Sequence, residues 1–75
     1  MFCKNIFSER VQILRKQANL SQQALGDNVG LSKQAINDIE KGRRITALDK
    51  VCNLADFFDV SLDYLTGRSD NPKRL

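Results

Sequence analysis

The chain has 75 residues, of which 41% are hydrophobic, and this length predicts a single domain. Its formal net charge is only +3, and it contains no histidine. The two cysteines, Cys3 and Cys52, are far apart and lack metal-ligand spacing, which argues against a zinc site, and the absence of histidine argues against His-based acid–base catalysis. We therefore expect no metal, no cofactor and no enzymatic activity, with both thiols reduced and Cys52 packed in the core.

The distribution of apolar residues predicts the cellular location of the protein. No apolar run approaches the roughly 20 residues that a membrane-spanning helix needs. The N-terminal apolar positions are single residues between polar ones, which is not the pattern of a signal peptide. We expect a cytoplasmic protein that does not bind membranes, and no small-molecule ligand is evident.

The first of five predicted helices spans about residues 8–18. Ser8 is a favourable N-cap residue, and it stands just before an apolar stripe with helical spacing. We expect this stripe to face inward: Phe7, Val11, Leu14 and Ala18.

The second and third predicted helices follow each other almost directly. Ser21 is placed to cap the second helix, and Gly30 suits the left-handed residue that ends a helix. Ser32 then caps a third helix, which stops at Gly42. Because so short a link forces two helices to cross steeply, residues 21–42 are predicted to form a helix-turn-helix.

A fourth helix is predicted for about residues 46–58. Its apolar residues fall on one stripe, which we expect to face the core: Leu48, Val51, Cys52, Ala55 and Phe58.

The fifth predicted helix is short and lies within residues 60–67. Ser61 caps it, Leu62 and Leu65 anchor it, and Gly67 stops it. We expect a domain over residues 1–67 and a frayed polar tail over 68–75. The fold class is all-α, a compact five-helix bundle.

The third predicted helix has two contrasting faces. Lys33, Gln34, Asn37 and Lys41 recur on the solvent side, while apolar residues lie opposite them. A helix fits the major groove of DNA, where Lys pairs with guanine and Gln with adenine. The pattern indicates a DNA-reading face, although any solvated helix can carry polar residues.

The segment 20–42 resembles the helix-turn-helix of phage Cro and repressor proteins, the xenobiotic-response-element-like family of bacterial regulators. The resemblance extends to the flanking helices over roughly residues 8–67, and one departure is a glycine at position 26 where the family usually has alanine. The matching residues are Gln22, Leu25, Gly26, Gly30, Leu31, Ser32, Ile36, Ile39, Glu40 and Gly42. The resemblance implies a lambda-repressor-like DNA-binding fold and double-stranded DNA as the partner.

Site residues follow from this resemblance together with the helical pattern. Base readout is expected from Lys33, Gln34 and Asn37. Contacts with the DNA backbone are expected from Ser21, Gln22, Lys41, Arg43 and Arg44. The resemblance also implies a structural ion pair between Arg15 of the first helix and Glu40 of the third.

The leading functional hypothesis is a bacterial or phage-encoded regulator of transcription, with repression as the simpler expectation. A module of this size contacts few base pairs, so we expect a homodimer on a palindromic operator. Phe57, Val60 and Tyr64 are candidates for the dimer surface, although they fit the completion of a small core equally well. The alternative function is a protein-interaction module of the same fold, such as an antitoxin or adaptor.

Overall fold

A computed structural model describes residues 4–73, and over that range the chain forms five α-helices and no strand. The helices are α1 (Lys4–Gln17), α2 (Gln22–Val29), α3 (Lys33–Glu40), α4 (Leu48–Phe58) and α5 (Leu62–Leu65). The predicted all-α, five-helix fold class is confirmed. Cys3 lies outside the described residues. Within residues 4–73, every helix is too short or too polar to cross a membrane.

All five helices and the segment before α5 enclose one apolar core. Within residues 4–73, every buried side-chain nitrogen or oxygen atom has a hydrogen-bond partner, so the core contains no unsatisfied polar side chain. Leu14, Leu31, Phe58 and Tyr64 are partly buried and pack against this core. The core residues are Phe7, Val11, Leu25, Val29, Ile36, Ile39, Val51, Leu54, Ala55, Val60 and Leu65.

The caps of α2 and α3 match the sequence prediction. Ser21 Oγ accepts a hydrogen bond from Ala24 N, and Ser32 Oγ accepts one from Ala35 N, both at 3.0 Å. Gly30 ends α2 in the left-handed conformation, with φ of 80°. These two capped ends leave only three residues between the helices, which fixes how steeply α3 turns away from α2.

The crossing of α2 and α3 requires a residue without a side chain at position 26. A Cβ atom added to Gly26 would lie 2.3 Å from the carbonyl oxygen of Leu31, which belongs to the backbone of the turn. Real Cβ atoms essentially never come so close to another atom. The backbones of α2 and of the turn therefore approach each other at a distance that only glycine permits.

The start of α1 differs from the prediction. The helix begins at Lys4, so Ser8 is buried inside it and is not an N-cap. Its hydroxyl donates instead to the carbonyl oxygen of Lys4, 2.9 Å away and one turn earlier. At the other end, α1 stops at Gln17, and Ala18 is exposed where an inward position was expected.

The side of α4 that packs against the core differs from the predicted apolar stripe. The helix begins at Leu48, two residues later than expected, and this first side chain is 69% exposed. Leu54, which the predicted stripe omits, is fully buried, while Cys52 is only half-buried. The face that packs against the core therefore includes position 54 and loses position 48.

Val60 and Leu62, two apolar residues around α5, differ in how far they are buried. Val60, for which a dimer surface and the completion of the core fitted equally well, is 6% exposed and belongs to the core. Leu62, expected to be an anchor, is 39% exposed. Leu65 is fully buried, as expected, and Tyr64 is half-buried.

The polar tail is not frayed over residues 68–73. Arg10 of α1 donates to the carbonyl oxygens of Tyr64 and Ser69, and it forms an ion pair with Asp70 at 2.7 Å. Its guanidinium also stacks over the Tyr64 ring, 4.0 Å from the ring centroid. Ser61 N donates to the carbonyl oxygen of Pro72 at 2.9 Å, so the segment folds back onto α5 and α1.

Candidate nucleic-acid interface

The two faces of α3 have the environments that their sequence pattern predicts. Lys33, Gln34 and Lys41 are exposed, and Asn37 is half-buried on the same side. The opposite side is buried against the core through Ala35, Ile36 and Ile39. The structure therefore presents four polar side chains of α3 and its C-cap along one accessible face.

An ion pair joins α1 to the last turn of α3. Arg15 Nε lies 2.6 Å from Glu40 Oε2, and Arg15 Nη2 donates to Glu40 Oε1 at 3.1 Å. The side chains are 13% and 2% exposed, respectively. The hydrogen bond that Arg15 donates to Glu40, together with the charge of Glu40, raises the pKa of Arg15 against the lowering effect of burial. Arg15 Nη1 also donates to the carbonyl oxygen of Leu20 at 2.8 Å, so one guanidinium contacts both the loop between α1 and α2 and the end of α3.

The side-chain amide of Gln22 extends this ion pair towards the accessible face. Its Nε2 donates to Glu40 Oε1 at 3.2 Å and to Asn37 Oδ1 at 3.3 Å. We call Arg15, Glu40, Gln22 and Asn37 the inter-helix network, because it links α1, α2 and α3. Both hydrogens of the Gln22 amide have acceptors on α3, so the side chain is directed towards α3.

A second pair lies along α3 itself. Gln34 Nε2 donates to Asp38 Oδ1 at 2.9 Å. The two residues are four positions apart, which places them side by side on a helix, so the spacing alone was a signal for this contact. Asp38 was not among the expected site residues, and the structure adds it as the partner of an expected base reader.

The remaining expected backbone contacts lie at two places beside α3. Arg43 and Arg44 are exposed just beyond its C-terminal end, where Gly42 turns the chain with φ of 73°. Arg43 N donates to the carbonyl oxygen of Asp38 at 2.9 Å, so the loop stays close to the last turn. Ser21 is exposed at the start of α2, with its hydroxyl engaged as the cap.

Large apolar side chains are also exposed on the described part of the chain. Phe57, a candidate for the dimer surface, is 39% exposed and makes an edge-on contact with Phe58. Exposed apolar groups of this size are candidates for contact with another protein chain. The set comprises Ile13, Ile45, Leu48, Phe57 and Leu62.

Comparison with known proteins also identifies a helix-turn-helix in this chain. A family model described as helix-turn-helix matches residues 11–65. The chain is 37% identical over 68 residues to YqaE of Bacillus subtilis, an uncharacterised HTH-type transcriptional regulator. That alignment covers 91% of this chain and 59% of YqaE, so the chain spans less than two thirds of this relative.

Two solved structures show the same fold. The P22 c2 repressor, solved in complex with a synthetic operator, is 30% identical, with a TM-score of 0.80 and coverage of 85% of this chain and 97% of that one. The restriction-modification controller C.AhdI from Aeromonas hydrophila is also 30% identical, with a TM-score of 0.74 and coverage of 81% and 92%. With the family match, these similarities show that the chain belongs to the helix-turn-helix family of transcriptional regulators of the phage Cro/repressor type.

Proposed function

We propose that this protein is a sequence-specific repressor that inserts α3 into the major groove of double-stranded DNA. The observation that carries the proposal is the polar accessible face of α3, with Lys33, Gln34, Asn37 and Lys41, followed directly by an exposed basic loop. A helix of this kind fits the major groove, where its side chains reach base edges. The printed description of the P22 c2 structure, a complex with an operator, supports the same role.

Base readout is proposed for three residues of α3. Lys33 is placed to donate to the O6 and N7 acceptors of guanine. Gln34 uses one amide hydrogen for Asp38, which leaves its Oε1 and its second hydrogen for the paired donor and acceptor of adenine. Asn37 is the third reader, at the centre of the accessible face.

Contacts with the DNA backbone are proposed on both sides of α3. Lys41, Arg43 and Arg44 provide cations for phosphates beyond the C-terminal end of the helix. At the start of α2, Ser21 and the main-chain N–H groups lie at the positive end of a helix, which favours an anion. Because the side-chain amide of Gln22 is held by α3, we assign its phosphate contact to its main-chain N–H.

A homodimer on a palindromic operator is the assembly we propose. One module buries only about 600–1,000 Å² on DNA, and two modules about 34 Å apart reach successive major grooves. Phe57, Leu48 and Leu62 are exposed apolar side chains of α4 and α5 that suit contact with a second copy. Tyr64 remains a candidate through its accessible part, whereas Val60 does not. We propose that the dimer acts in the cytoplasm of a bacterial host.

A protein-interaction module is the second candidate, because the same exposed apolar side chains suit a different protein partner. The test that separates the two is selection of random duplex DNA by the purified protein. Enrichment of a palindrome with half-sites about one helical turn apart supports the dimeric repressor. No enrichment, with no binding at low salt, contradicts DNA binding and favours the partner-binding module.

A further inference from the structure

In the inter-helix network, Glu40 determines which atoms donate hydrogen bonds and which accept them. Its carboxylate is paired with the Arg15 guanidinium, so Glu40 is charged and can only accept hydrogen bonds. The group of Gln22 that lies 3.2 Å from Glu40 must therefore be the amide nitrogen, not the carbonyl oxygen. The same nitrogen lies 3.3 Å from the Asn37 side chain, so the atom of Asn37 that faces it must be the acceptor Oδ1.

This chain of donors and acceptors determines which atoms Asn37 offers to a ligand. With Oδ1 directed to Gln22, the group left for the accessible face of α3 is the amide nitrogen Nδ2 and its two hydrogens. We propose that the network is a specificity device that fixes Asn37 as a donor and so selects guanine at the base pair that Asn37 contacts. The inference rests on the proposed DNA-binding function and deepens it at this one residue.

Guanine follows from the edges that base pairs expose in the major groove. An unconstrained Asn pairs best with adenine, because its oxygen accepts from N6 and its nitrogen donates to N7. Here the oxygen is directed towards Gln22 and so is not aimed at N6, and the adenine pairing loses one of its two hydrogen bonds. Guanine offers two acceptors, O6 and N7, which match the two hydrogens of Asn37 Nδ2. Gln34, whose Nε2 donates one hydrogen to Asp38, keeps its Oε1 and a second hydrogen for adenine and has the opposite preference.

The test removes the hydrogen bond that orients Asn37 while keeping the shape of the side chain. Gln22→Met has nearly the same length as the native residue and has no N–H to donate. The matched control is Gln23→Met, the next glutamine of α2, which is exposed and donates to Asp27 Oδ1 at 2.9 Å instead of to α3. Each variant is measured by competition against all single-base changes of the selected operator, with Asn37→Ala used to locate the base pair that Asn37 contacts.

We expect guanine at the position where Asn37→Ala removes the preference, favoured by about 5- to 150-fold over other bases. Gln22→Met should reduce the preference at that position to less than about threefold, while the base preferences at the other positions are retained. Gln23→Met should change no position. Thermal melting of each variant verifies that the protein remains folded at the assay temperature.

Several outcomes overturn the inference while leaving the proposed function in place. These are adenine at the Asn37 position, no position that responds to Asn37→Ala, an intact preference in Gln22→Met, or an equal loss on every duplex. If Gln22→Met does not fold, amide hydrogen exchange of native Gln22 decides: protection of its Nε2 protons well beyond those of Gln23 supports the network, and equal exchange overturns it. Failure to select any operator sinks the proposed function, and this inference with it.

Discussion

Two of the four residues on the accessible face of α3, Gln34 and Asn37, have side chains that hydrogen bonds within the protein orient. Gln34 is tied to Asp38 along the helix, and Asn37 is tied to Gln22 across the turn. Side chains that are already oriented lose less conformational freedom when they bind, so more of the interaction energy remains for discrimination. At the scale of single residues, the face is therefore organised for selective contact with a hydrogen-bonding surface.

Gln34→Ala tests direct base readout. The variant should weaken binding to the selected operator by about 1–3 kcal/mol, because a paired donor and acceptor at a base edge are lost. Binding to random duplex should stay nearly unchanged, since base readers contribute little to it. Titration of both duplexes at one salt concentration measures the difference, and an equal loss on both would remove Gln34 from the base readers.

Arg43→Ala tests the assignment of the exposed basic loop to phosphates. All duplexes should be bound more weakly by similar factors, and the slope of log affinity against log salt should fall by about 1. The measurement is binding to operator and random duplex over a series of salt concentrations. An unchanged slope would show that Arg43 makes no phosphate contact.

How much of the site the sequence predicts depends on whether a contact lies within one helix. Helical spacing assigns Lys33, Gln34, Asn37 and Lys41 to one accessible face, and the structure shows them there. Helical spacing also predicts the contact between Gln34 and Asp38. It does not predict the contact of Gln22 with Asn37, because that contact depends on the angle at which α2 and α3 cross, and helical periodicity carries no information about this angle.

At the scale of elements, α3 is held in place by contacts at both of its ends. Its start is fixed by the tight turn after α2, where Gly26 allows the two backbones to meet. Its end is fixed to α1 by the Arg15–Glu40 pair. A helix that reads DNA, as proposed for α3, must keep its position within small limits, and both contacts restrict that position.

Arg15→Met should lower the free energy of unfolding by about 3 kcal/mol. The substitution leaves the carboxylate of Glu40, whose side chain is 2% exposed, without its charged partner, and breaking a buried pair costs about 3–5 kcal/mol. Urea unfolding at neutral pH measures the change. The control is Arg68→Met, whose pair with Asp63 spans 3.8 Å in solvent and should contribute less than about 1 kcal/mol. Equal effects of the two variants would contradict the structural role of Arg15.

Gly26→Ala tests two opposing effects on stability, helix propensity and packing. Propensity alone favours alanine inside a helix by about 1 kcal/mol. The added Cβ, however, would lie 2.3 Å from the Leu31 carbonyl oxygen, and relief of this overlap requires the backbone of the turn to move. We expect a net loss of about 1–3 kcal/mol in the free energy of unfolding, as for other overpacked sites. A variant more stable than the native protein would show that the crossing can widen without cost.

The elements also show where local sequence rules fail. Ser8 fits the pattern of an N-cap, but four more residues join α1, and its hydroxyl then bonds within the helix. Residues 68–73 look like a frayed tail, yet Arg10 holds them through contacts about 60 positions away in the chain. Local patterns predict which helices exist and the N-caps of α2 and α3; they do not predict where α1 begins or which distant segments are in contact.

At the scale of the whole molecule, exposed cationic side chains cluster beside α3 although the net charge is small. The net charge is only +3, but Lys33, Lys41, Arg43 and Arg44 all lie on or next to the accessible face of α3. Arg10, in contrast, is turned away to Asp70, and Arg15 is neutralised by Glu40. The distribution supports association with a polyanion more strongly than the total charge does.

Leu48→Gln tests the proposed dimer. Leu48 is 69% exposed in one copy, so the change should alter the stability of the fold by less than about 0.5 kcal/mol. It should weaken self-association and lower affinity for the full palindrome, while leaving affinity for a single half-site intact. Sedimentation and binding to both duplexes measure this. Ile13→Gln, at an exposed apolar position of α1, is the control; identical behaviour of the two variants would contradict a dimer surface at Leu48.

The most direct test of the central claim, that α3 contacts DNA bases selectively, is the ratio of affinities for the selected operator and a scrambled duplex of equal length. Both dissociation constants are measured at physiological salt. The account predicts a ratio of at least about 10³, the lower end of specific recognition. Equal affinity for the two duplexes, or no affinity for either, would contradict it.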